Sequence, residues 1–570
     1  MTVIATAGHV DHGKSALVQA VCGTDPDRLP EEKRRGMTID LGFAHRTGDD
    51  GTVISFVDVP GHSDFVHTMV AGVSGVGAAL LVVDAGEGWM PQTEEHLGIL
   101  EVLGVTAGVV ALSRCDRVDA SIVGQRVREV SARLGTSPIA WGPPVRTSAR
   151  TGDGVAELVG RLTALVRAAP TRHDPLGRPR LFCDRVFTVT GAGTVVTGTL
   201  EGAHMVPGDM LTVHRTGEEV RVRDVQTHGS GVEAGVPGTR CALNISGRGA
   251  ETIRRGDVLV RDGQWWSTTV IDGEIHVLGA ARTLSRRNGY TLHIGTNEQS
   301  ASVRPLGQGA DAGIPAGGTG PVRMRFAVPL PLTPGDRFLL RDPGSGTTVG
   351  GGTVLDVDPH ERVSRAAPDG SVGSQLARRG WIDVAQARRL TGRALEAVAG
   401  GMFALSHVVD DTVAALRTRM DAGALDTTSL APHERLLALE KLGAAEQHGT
   451  LTARGDDGME QHPVALALRE AGFTPPSPTD RDAVRRLAQR GIVLEHDGIA
   501  FHRDVLDGLS GVLGSLWRAN PAGFTVSHLR AELGITRKHA VPLAACLDKR
   551  GWTRRSGDLR LPGPMARAQG

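Results

Sequence analysis

No apolar run in the chain approaches the roughly 20 residues that a membrane-spanning helix needs, so no such span is expected. Cysteine is scarce. Cys22, Cys115, Cys183, Cys241 and Cys546 are scattered, and none stands in a CxxC pair. That argues against a zinc site or a disulfide framework and fits a reducing, cytoplasmic setting. Met1 leads straight into the strand-like run Thr2–Ala7, so no signal peptide is expected. Net charge of one sign is missing too, because 63 Lys+Arg balance 63 Asp+Glu. The molecule as a whole is therefore no generic polyanion binder, and any nucleic-acid contact must come from local basic patches. Lysine is confined to Lys14, Lys33, Lys441, Lys538 and Lys549, which leaves most of the positive charge to arginine.

What is present is length and a change of pattern along it. The 570 residues exceed what one hydrophobic core holds, and about three to five domains are expected. Apolar content of 40% and charged content of 22% are those of an ordinary soluble protein. Residues 1–170 alternate strand-like runs (Val3–Ala7, Val53–Val57, Ala78–Val83, Ala107–Leu112) with amphipathic helical stretches (Ser15–Cys22, Glu94–Leu103, Ile122–Leu134, Val155–Ala168). Such alternation implies a parallel α/β sheet.

The Pro/Gly/Arg-rich stretch Pro170–Arg180 reads as a linker. Beyond it, short β-branched runs between glycine turns (Val186–Val189, Thr194–Thr199, Met210–Val213, Val220–Val225) continue to about Asp358. With a break near Asp262–Ser267 they read as two β-barrels, over 178–262 and 265–358. The polar segment His360–Gly373 reads as a second linker. Over 371–570, helical runs are followed by short β-like tails, as in Ala483–Gly491 with Ile492–Leu494 and Ala540–Gly551 with Trp552–Leu561. This is a tandem winged-helix pattern, with its last unit at about 510–562. The expected fold is thus an α/β P-loop domain, two β-barrels and a C-terminal winged-helix array.

Gly8-His-Val-Asp11-His12-Gly13-Lys14-Ser15 matches G-x-x-x-x-G-K-[ST], and it lies between a strand and a helix, as a phosphate loop must. Gly8 and Gly13 let backbone N–H groups approach phosphate oxygens, with Asp11, His12 and Ala16 in the same wrap. Lys14 should reach the β- and γ-phosphates, and the Ser15 hydroxyl should ligate Mg²⁺. Asp58-Val-Pro-Gly61-His62 follows the strand Val53–Val57. Asp58 can hold a Mg²⁺-bound water, the Gly61 N–H can contact the γ-phosphate, and His62 is placed to orient the attacking water. Thr38, in the loop-like Arg35–Asp40, is the residue expected to close over Mg²⁺. For the base, Asp116 can accept from guanine N1–H and N2–H₂. Ser113 and Arg114 replace the usual Asn-Lys pair, and the shorter serine is expected to give up a bridging contact while the Arg114 stem covers the base. Thr147-Ser148-Ala149 fits a second base-contact loop acting through backbone N–H groups. The ligands expected are GTP and Mg²⁺.

The stretches GHVDHGKS, RGMTIDLG, DVPGH and SRCD resemble the translational GTPases related to elongation factor Tu. The likeness continues through Asp184–Gly198 and Gly335–Asp342. Within that group, residues 27–42 and the extra C-terminal domains resemble the selenocysteine-specific branch, SelB. SRCD is the departure from the family pattern.

The resemblance implies a ribosome-stimulated GTPase that delivers selenocysteyl-tRNA at UGA codons marked by a messenger RNA hairpin. It places Phe43, Asp184, Arg185 and Arg240 in a pocket for the anionic selenocysteine side chain. Arg185 and Arg240 would face the selenolate, Asp184 would hold an arginine and Phe43 would wall the pocket. It places Arg537, Lys538, Arg554 and Arg555 on the RNA-binding face of the last winged helix, and it implies a monomer. Residue by residue, Asp184 and Arg185 also read as a solvated pair on a barrel strand, and the C-terminal basic residues as a solvated face. Two alternatives stay open here: a GTPase for another tRNA whose C-terminal domain binds a protein, and a nucleotide-gated RNA-binding regulator.

Overall fold

The computed structural model describes residues 3–27, 29–35, 37–62, 65–73, 75–169, 174–191, 193–307, 312–422, 425–447, 449–452, 460–477, 480–489 and 491–566. The chain forms two compact units, Met1–Ala397 with Phe403–Leu405, and Val398–Met402 with Ser406–Gly570. Among the described residues no helix is long and apolar enough to cross a membrane.

The first unit opens with a three-layer α/β domain. Its strands are β1 (Val3–Ala7), β2 (Gly42–Thr47), β3 (Val53–Asp58), β4 (Ala78–Asp84), β5 (Ala107–Ser113), β6 (Ala140–Trp141) and β7 (Val145–Arg146). They are ordered β2-β3-β1-β4-β5-β6, with β7 also beside β5. Only the β2–β3 pair is antiparallel, and the other pairs are parallel. The helices are α1 (Lys14–Cys22), α2 (Pro30–Arg35), α3 (Val66–Val73), α4 (Pro91–Val102), α5 (Ala120–Leu134) and α6 (Val155–Ala168). β1 and β4 are buried along their whole length, as strands with helices on both faces are. Two elements escape a pattern-based reading for physical reasons. α3 buries nearly every residue and so shows no polar face, and β2 is an edge strand buried mainly at its first three residues.

The next strands are β8 (Arg180–Phe182), β9 (Arg185–Val189), β10 (Gly193–Glu201), β11 (Met210–Val213), β12 (Glu218–Thr227), β13 (Ser230–Gly231), β14 (Arg240–Ser246) and β15 (Val258–Val260). Six of them close the ring β11-β15-β8-β10-β14-β12, while β9 hangs on β10 and β13 on β12. A second closed ring contains β16 (Trp266–Val277), β17 (Arg287–Ile294), β18 (Asn297–Pro305), β19 (Thr319–Leu332), β20 (Arg337–Arg341) and β21 (Thr348–Asp356), in the order β16-β19-β18-β17-β20-β21. α4 lies against β20 and β21. Leu339 joins the core of the α/β domain, and Thr348 donates to Glu95 at 3.1 Å.

Both expected linkers are corrected within the described residues. Of 170–180, residues 170–173 lie outside the described set, but the rest is anchored. Arg178 and Asp174 pair at 2.8 Å, and buried Arg180 spans Glu201 and Asp336, each at 2.7 Å. Segment 360–373 also packs on the second barrel. Ala366 is buried, and the Glu361 carbonyl accepts from Arg323 at 2.9 Å. The helices that follow, α7 (Val372–Leu376) and α8 (Val384–Thr391), place Leu376, Ala387 and Leu390 in the second barrel's own core. The first helical segment after residue 371 is thus a buttress of the barrel.

The second unit carries α9 (Ser406–Asp421), α10 (Pro432–Lys441), α11 (Pro463–Glu470), α12 (Arg481–Gln489), α13 (Arg503–Asp507), α14 (Ser510–Ala519), α15 (Val526–Leu533) and α16 (Arg537–Lys549). Small antiparallel ribbons alternate with these helices, at Val493–His496 with Ile499–His502 and at Thr553–Ser556 with Leu559–Pro562. A cut at residue 510 would split one core, because Ile499, Phe501, Leu506 and Leu509 pack with Leu513, Leu529, Leu543 and Leu547. Phe501→Ala is expected to cost about 3–5 kcal/mol. Amide exchange should then lose protection in α16 along with strand Ile499–His502. Loss confined to that strand would mean two separate cores.

Candidate functional site

β1 ends at Ala7, and the chain turns through Gly8–Gly13 into α1. Gly8 has φ +131, and a Cβ there would stand 2.2 Å from the Val82 carbonyl oxygen, so only glycine lets the loop leave the sheet here. Lys14 Nζ donates to the Gly8 and His9 carbonyls at 3.1 and 2.8 Å, and burial pulls its pKa down to about 8 against the raising charge of Asp58. The Gly8 N–H donates to His96 Nδ1 at 3.1 Å, and the Val10 N–H donates to Gln92 Oε1 at 2.9 Å. Both acceptors come from α4, which therefore fixes the loop's entrance. The His12 side chain is fully buried, with Nδ1 accepting from the Asp84 N–H at 3.3 Å. It serves the loop from below.

These buried imidazoles set an acid limit. Burial holds His12 at about 4 and His96 and His293 at about 3. The unfolded chain takes these protons near pH 6.5, the folded chain only near 3 to 4. Stability is therefore full above about 6.5 and falls as pH drops through that window. The melting temperature is expected to decline steadily on acidification below that point. A flat profile would contradict neutral burial.

A cleft beside the loop is lined by Asp11, Gly13, Lys14, Ser15, Ala16, Asp27, Thr38, Gly61 and Arg114. Ser15 Oγ and Thr38 Oγ1 are 2.9 Å apart, and Thr38 Oγ1 donates to Asp27 Oδ1 at 2.8 Å. Asp58 accepts from Thr6 Oγ1 at 2.6 Å, while its Oδ2 is buried without a hydrogen-bond partner. Burial raises its pKa to about 6, opposed by hydrogen bonds from Ser15 and Thr6 and by Lys14. Hydroxyl and carboxylate oxygens thus converge, with one orphaned acceptor, which suits a hard divalent cation such as Mg²⁺. Asp27 was not among the residues singled out from sequence. A Cβ at Gly61 would come 2.8 Å from Val10 N and 2.5 Å from Lys14 Nζ, so Gly61 lies on the loop itself. His62 follows directly, its ring 6.1 Å from that of Phe65.

At the base end, the expectation for Ser113 is overturned. Its Oγ donates to the His12 carbonyl at 2.7 Å, so the shorter side chain makes the bridge to the phosphate loop. Ser113→Ala would leave that buried carbonyl unpaired, and GTP affinity is expected to fall by about tenfold. Titration with a fluorescent guanine nucleotide checks this, and an unchanged affinity would show the bridge to be idle. Arg114 takes a left-handed φ of 54 and donates to Asp84 Oδ2 at 3.0 Å. Asp116 Oδ2 accepts from Arg150 at 2.9 Å, and hydrogen bonds from Ser148 and Arg150 lower its pKa. Arg150 is a participant that sequence reading missed. The Thr147 and Ser148 N–H groups donate to the Leu112 and Asp153 carbonyls at 2.8 and 2.9 Å, which occupies two of the three amides of the Thr147-Ser148-Ala149 loop and leaves Ala149 next in line.

Between β2 and the first barrel lies an arginine cluster. Buried Asp184 accepts from Arg240 Nε at 2.9 Å and Nη2 at 2.8 Å, and Thr197 Oγ1 accepts from Arg240 at 2.7 Å. The Arg240 guanidinium carbon sits 3.5 Å from the Phe43 ring centre, and that of Arg185 sits 5.0 Å from it. All four expected residues therefore meet, and Asp184 is not part of a solvated pair with Arg185. Arg185 instead donates to Asp40 Oδ2 at 2.7 Å. His45 and His228, stacked at 4.3 Å, line the adjoining cavity with Ser55, Gln226 and Arg240.

In the second unit Arg537, Lys538, Arg554 and Arg555 are all exposed. Lys538 leans toward Ser477 at 3.5 Å, and Arg555 Nε donates to the Gly557 carbonyl at 3.0 Å. Arg560, on the same ribbon, is buried against Asp548 at 3.0 Å and is not part of the exposed basic set.

Known proteins share this layout. The family model for the elongation factor Tu GTP binding domain matches residues 1–168. The model for the selenocysteine-specific elongation factor beta-barrel domain matches 273–361, and that for the elongation factor SelB winged helix matches 515–561. The chain is 31% identical over 632 residues to the selenocysteine-specific elongation factor of Desulfomicrobium baculatum, across 98% of this chain and 99% of that protein. It is also 31% identical over 641 residues to that of Escherichia coli strain K12, across 98% of each. A crystal structure of a bacterial selenocysteine-specific elongation factor, EF-Sec, aligns with a TM-score of 0.64 at 25% identity, across 98% of this chain and 99% of that one.

Proposed function

Because the chain belongs to the family of selenocysteine-specific elongation factors, with the translational GTPase domain of that family, we propose that it carries selenocysteyl-tRNA to the ribosome at UGA codons marked by a messenger RNA hairpin and hydrolyses GTP there. The observation that carries the cargo reading is the Asp184-clamped Arg240 stacked on Phe43, with Arg185 alongside.

A selenol is more acidic than a thiol and far more acidic than a hydroxyl, so selenocysteine is largely anionic at neutral pH. A fixed guanidinium in a partly desolvated pocket attracts the selenolate and gains little from neutral serine. Asp184 holds Arg240 in one orientation, so the cation is already in place when the side chain arrives.

In the GTPase cycle, Asp116 accepts from the guanine edge after Arg150 releases one of its oxygens. Lys14 exchanges its carbonyl partners for β- and γ-phosphate oxygens. Gly61 offers its N–H to the γ-phosphate, and His62 orients the attacking water. Ser15 and Thr38 would hold Mg²⁺ directly and Asp58 through water, and the ion would neutralise charge on the phosphates. Arg537, Lys538, Arg554 and Arg555 would contact hairpin phosphates and unstacked bases.

A reconstituted translation system tests the reading as a whole. Selenocysteine is expected at a UGA codon only when the hairpin follows it. Insertion without the hairpin would contradict the tether, and GTP turnover without insertion would contradict the cargo.

A further inference from the structure

The two pocket arginines are anchored in different ways. Arg240 is held from within its own barrel by Asp184 and Thr197. Arg185 is held from the GTPase domain. Its Nη2 donates to Asp40 Oδ2 at 2.7 Å and to the Leu41 carbonyl at 2.5 Å. Asp40 stands two residues beyond Thr38, whose hydroxyl meets Ser15 Oγ at 2.9 Å and Asp27 Oδ1 at 2.8 Å. The intervening backbone is pinned as well, because the Ile39 and Asp40 N–H groups each donate to buried Glu32 Oε1 at 3.2 Å. Direct contacts therefore run from Ser15 at the phosphate loop, through Thr38 and Asp40, to Arg185 beside Phe43. The other Asp40 oxygen lies 4.0 Å from Arg255, beyond hydrogen-bond reach.

We infer that Asp40 is a positioning residue that couples the nucleotide to the charge of the cargo pocket, by holding Arg185 only while Thr38 is docked at Ser15. The inference rests on the pocket reading above. When Thr38 leaves Ser15, Asp40 and Leu41 leave with it, and Arg185 loses both acceptors at once. Arg240 keeps its place, because its hydrogen-bonded tethers, Asp184 and Thr197, lie in its own barrel and Phe43, on which it rests, is anchored in β2. The Arg185–Asp40 pair is about a quarter to a third exposed, so its own strength is modest. Its effect comes from existing in one state of the loop and not in the other, which is what shifts an affinity between states. The pocket then has one permanent cation and one conditional cation, and the conditional one reports on GTP.

The test compares selenocysteyl-tRNA and seryl-tRNA binding to the full chain with a non-hydrolysable GTP analogue and with GDP. Asp40→Asn is expected to bind GTP normally and to lose roughly tenfold of the GTP-over-GDP preference for selenocysteyl-tRNA, with seryl-tRNA unchanged. Asp40→Glu should recover most of the loss. In an Arg185→Ala background, Asp40→Asn should add nothing further. An unchanged preference in Asp40→Asn overturns the inference, and so does a full additional loss in the double variant. If the wild-type chain does not distinguish the two aminoacyl-tRNAs, the pocket reading itself fails. If it does distinguish them while Asp40→Asn behaves as wild type, only this coupling fails.

Discussion

His62→Ala is expected to leave GTP affinity unchanged and to slow ribosome-stimulated hydrolysis by about 10²–10⁴-fold. Gly61 lies within a Cβ's reach of Val10 N and Lys14 Nζ, which sets the next side chain at the edge of the phosphate loop. Hydrolysis of a phosphoanhydride by water needs the nucleophile aligned with the leaving oxygen, which is the part proposed for His62. Affinity should be insulated, because in the proposed site guanine and the phosphates would be held by Asp116, Lys14, Ser15 and loop amides, not by His62. His62→Gln, which keeps a hydrogen-bonding group of similar reach, should recover part of the rate. Single-turnover phosphate release on programmed ribosomes is the measurement. A rate within threefold of wild type, at full ribosome occupancy, would remove His62 from the mechanism.

Arg240→Ala is expected to weaken selenocysteyl-tRNA binding by about 2–5 kcal/mol, with a smaller loss for seryl-tRNA. Two effects add. The cation facing the selenolate disappears, and Asp184, buried and doubly hydrogen-bonded to Arg240, is left as an uncompensated negative charge beside the incoming anion. The second effect has its own signature, since Asp184→Asn in the Arg240→Ala background should regain part of the affinity. Arg240→Lys should rescue poorly. An ammonium cannot make the paired contacts that Nε and Nη2 make with the carboxylate, nor stack flat on Phe43 at 3.5 Å. Equal losses for the two aminoacyl-tRNAs would show that Arg240 supports the barrel and does not read the side chain.

The parts of this site that were legible in the sequence are those whose chemistry sits in one short segment. Gly8–Ser15 and Asp58–His62 carry their backbone geometry and their ligand chemistry together, so spacing alone located them. What spacing could not reveal are contacts between distant segments. The Gly8 N–H meets His96 from 88 residues away, Ser113 reaches the His12 carbonyl across 101, and Arg185 meets Asp40 across 145. Serine is shorter than asparagine, but whether a shorter side chain still bridges depends on how close the end of β5 comes to the loop, which is a property of the folded sheet.

The two misread linkers fail for a related reason. Proline, glycine and arginine in Pro170–Arg180 look like solvated chain until Glu201 and Asp336 are brought to Arg180. Helical period likewise placed α7 and α8 with the later winged helices, although Leu376 and Leu390 belong to the core of the preceding barrel. The two barrels were legible as a class, because short β-branched runs between glycine turns have few other solutions. Their ring order was not, since it depends on pairings such as β8 with β15.

A GTPase that selects its cargo by the charge of selenocysteine, as proposed here, should protect one aminoacyl ester and not the other. The measurement is protection of the ester against hydrolysis, with selenocysteyl-tRNA and seryl-tRNA on the same tRNA body, in the presence of GTP or GDP. Selective, GTP-dependent protection of the selenocysteyl ester is the expected result. Equal protection of both esters, or protection of neither, would contradict it.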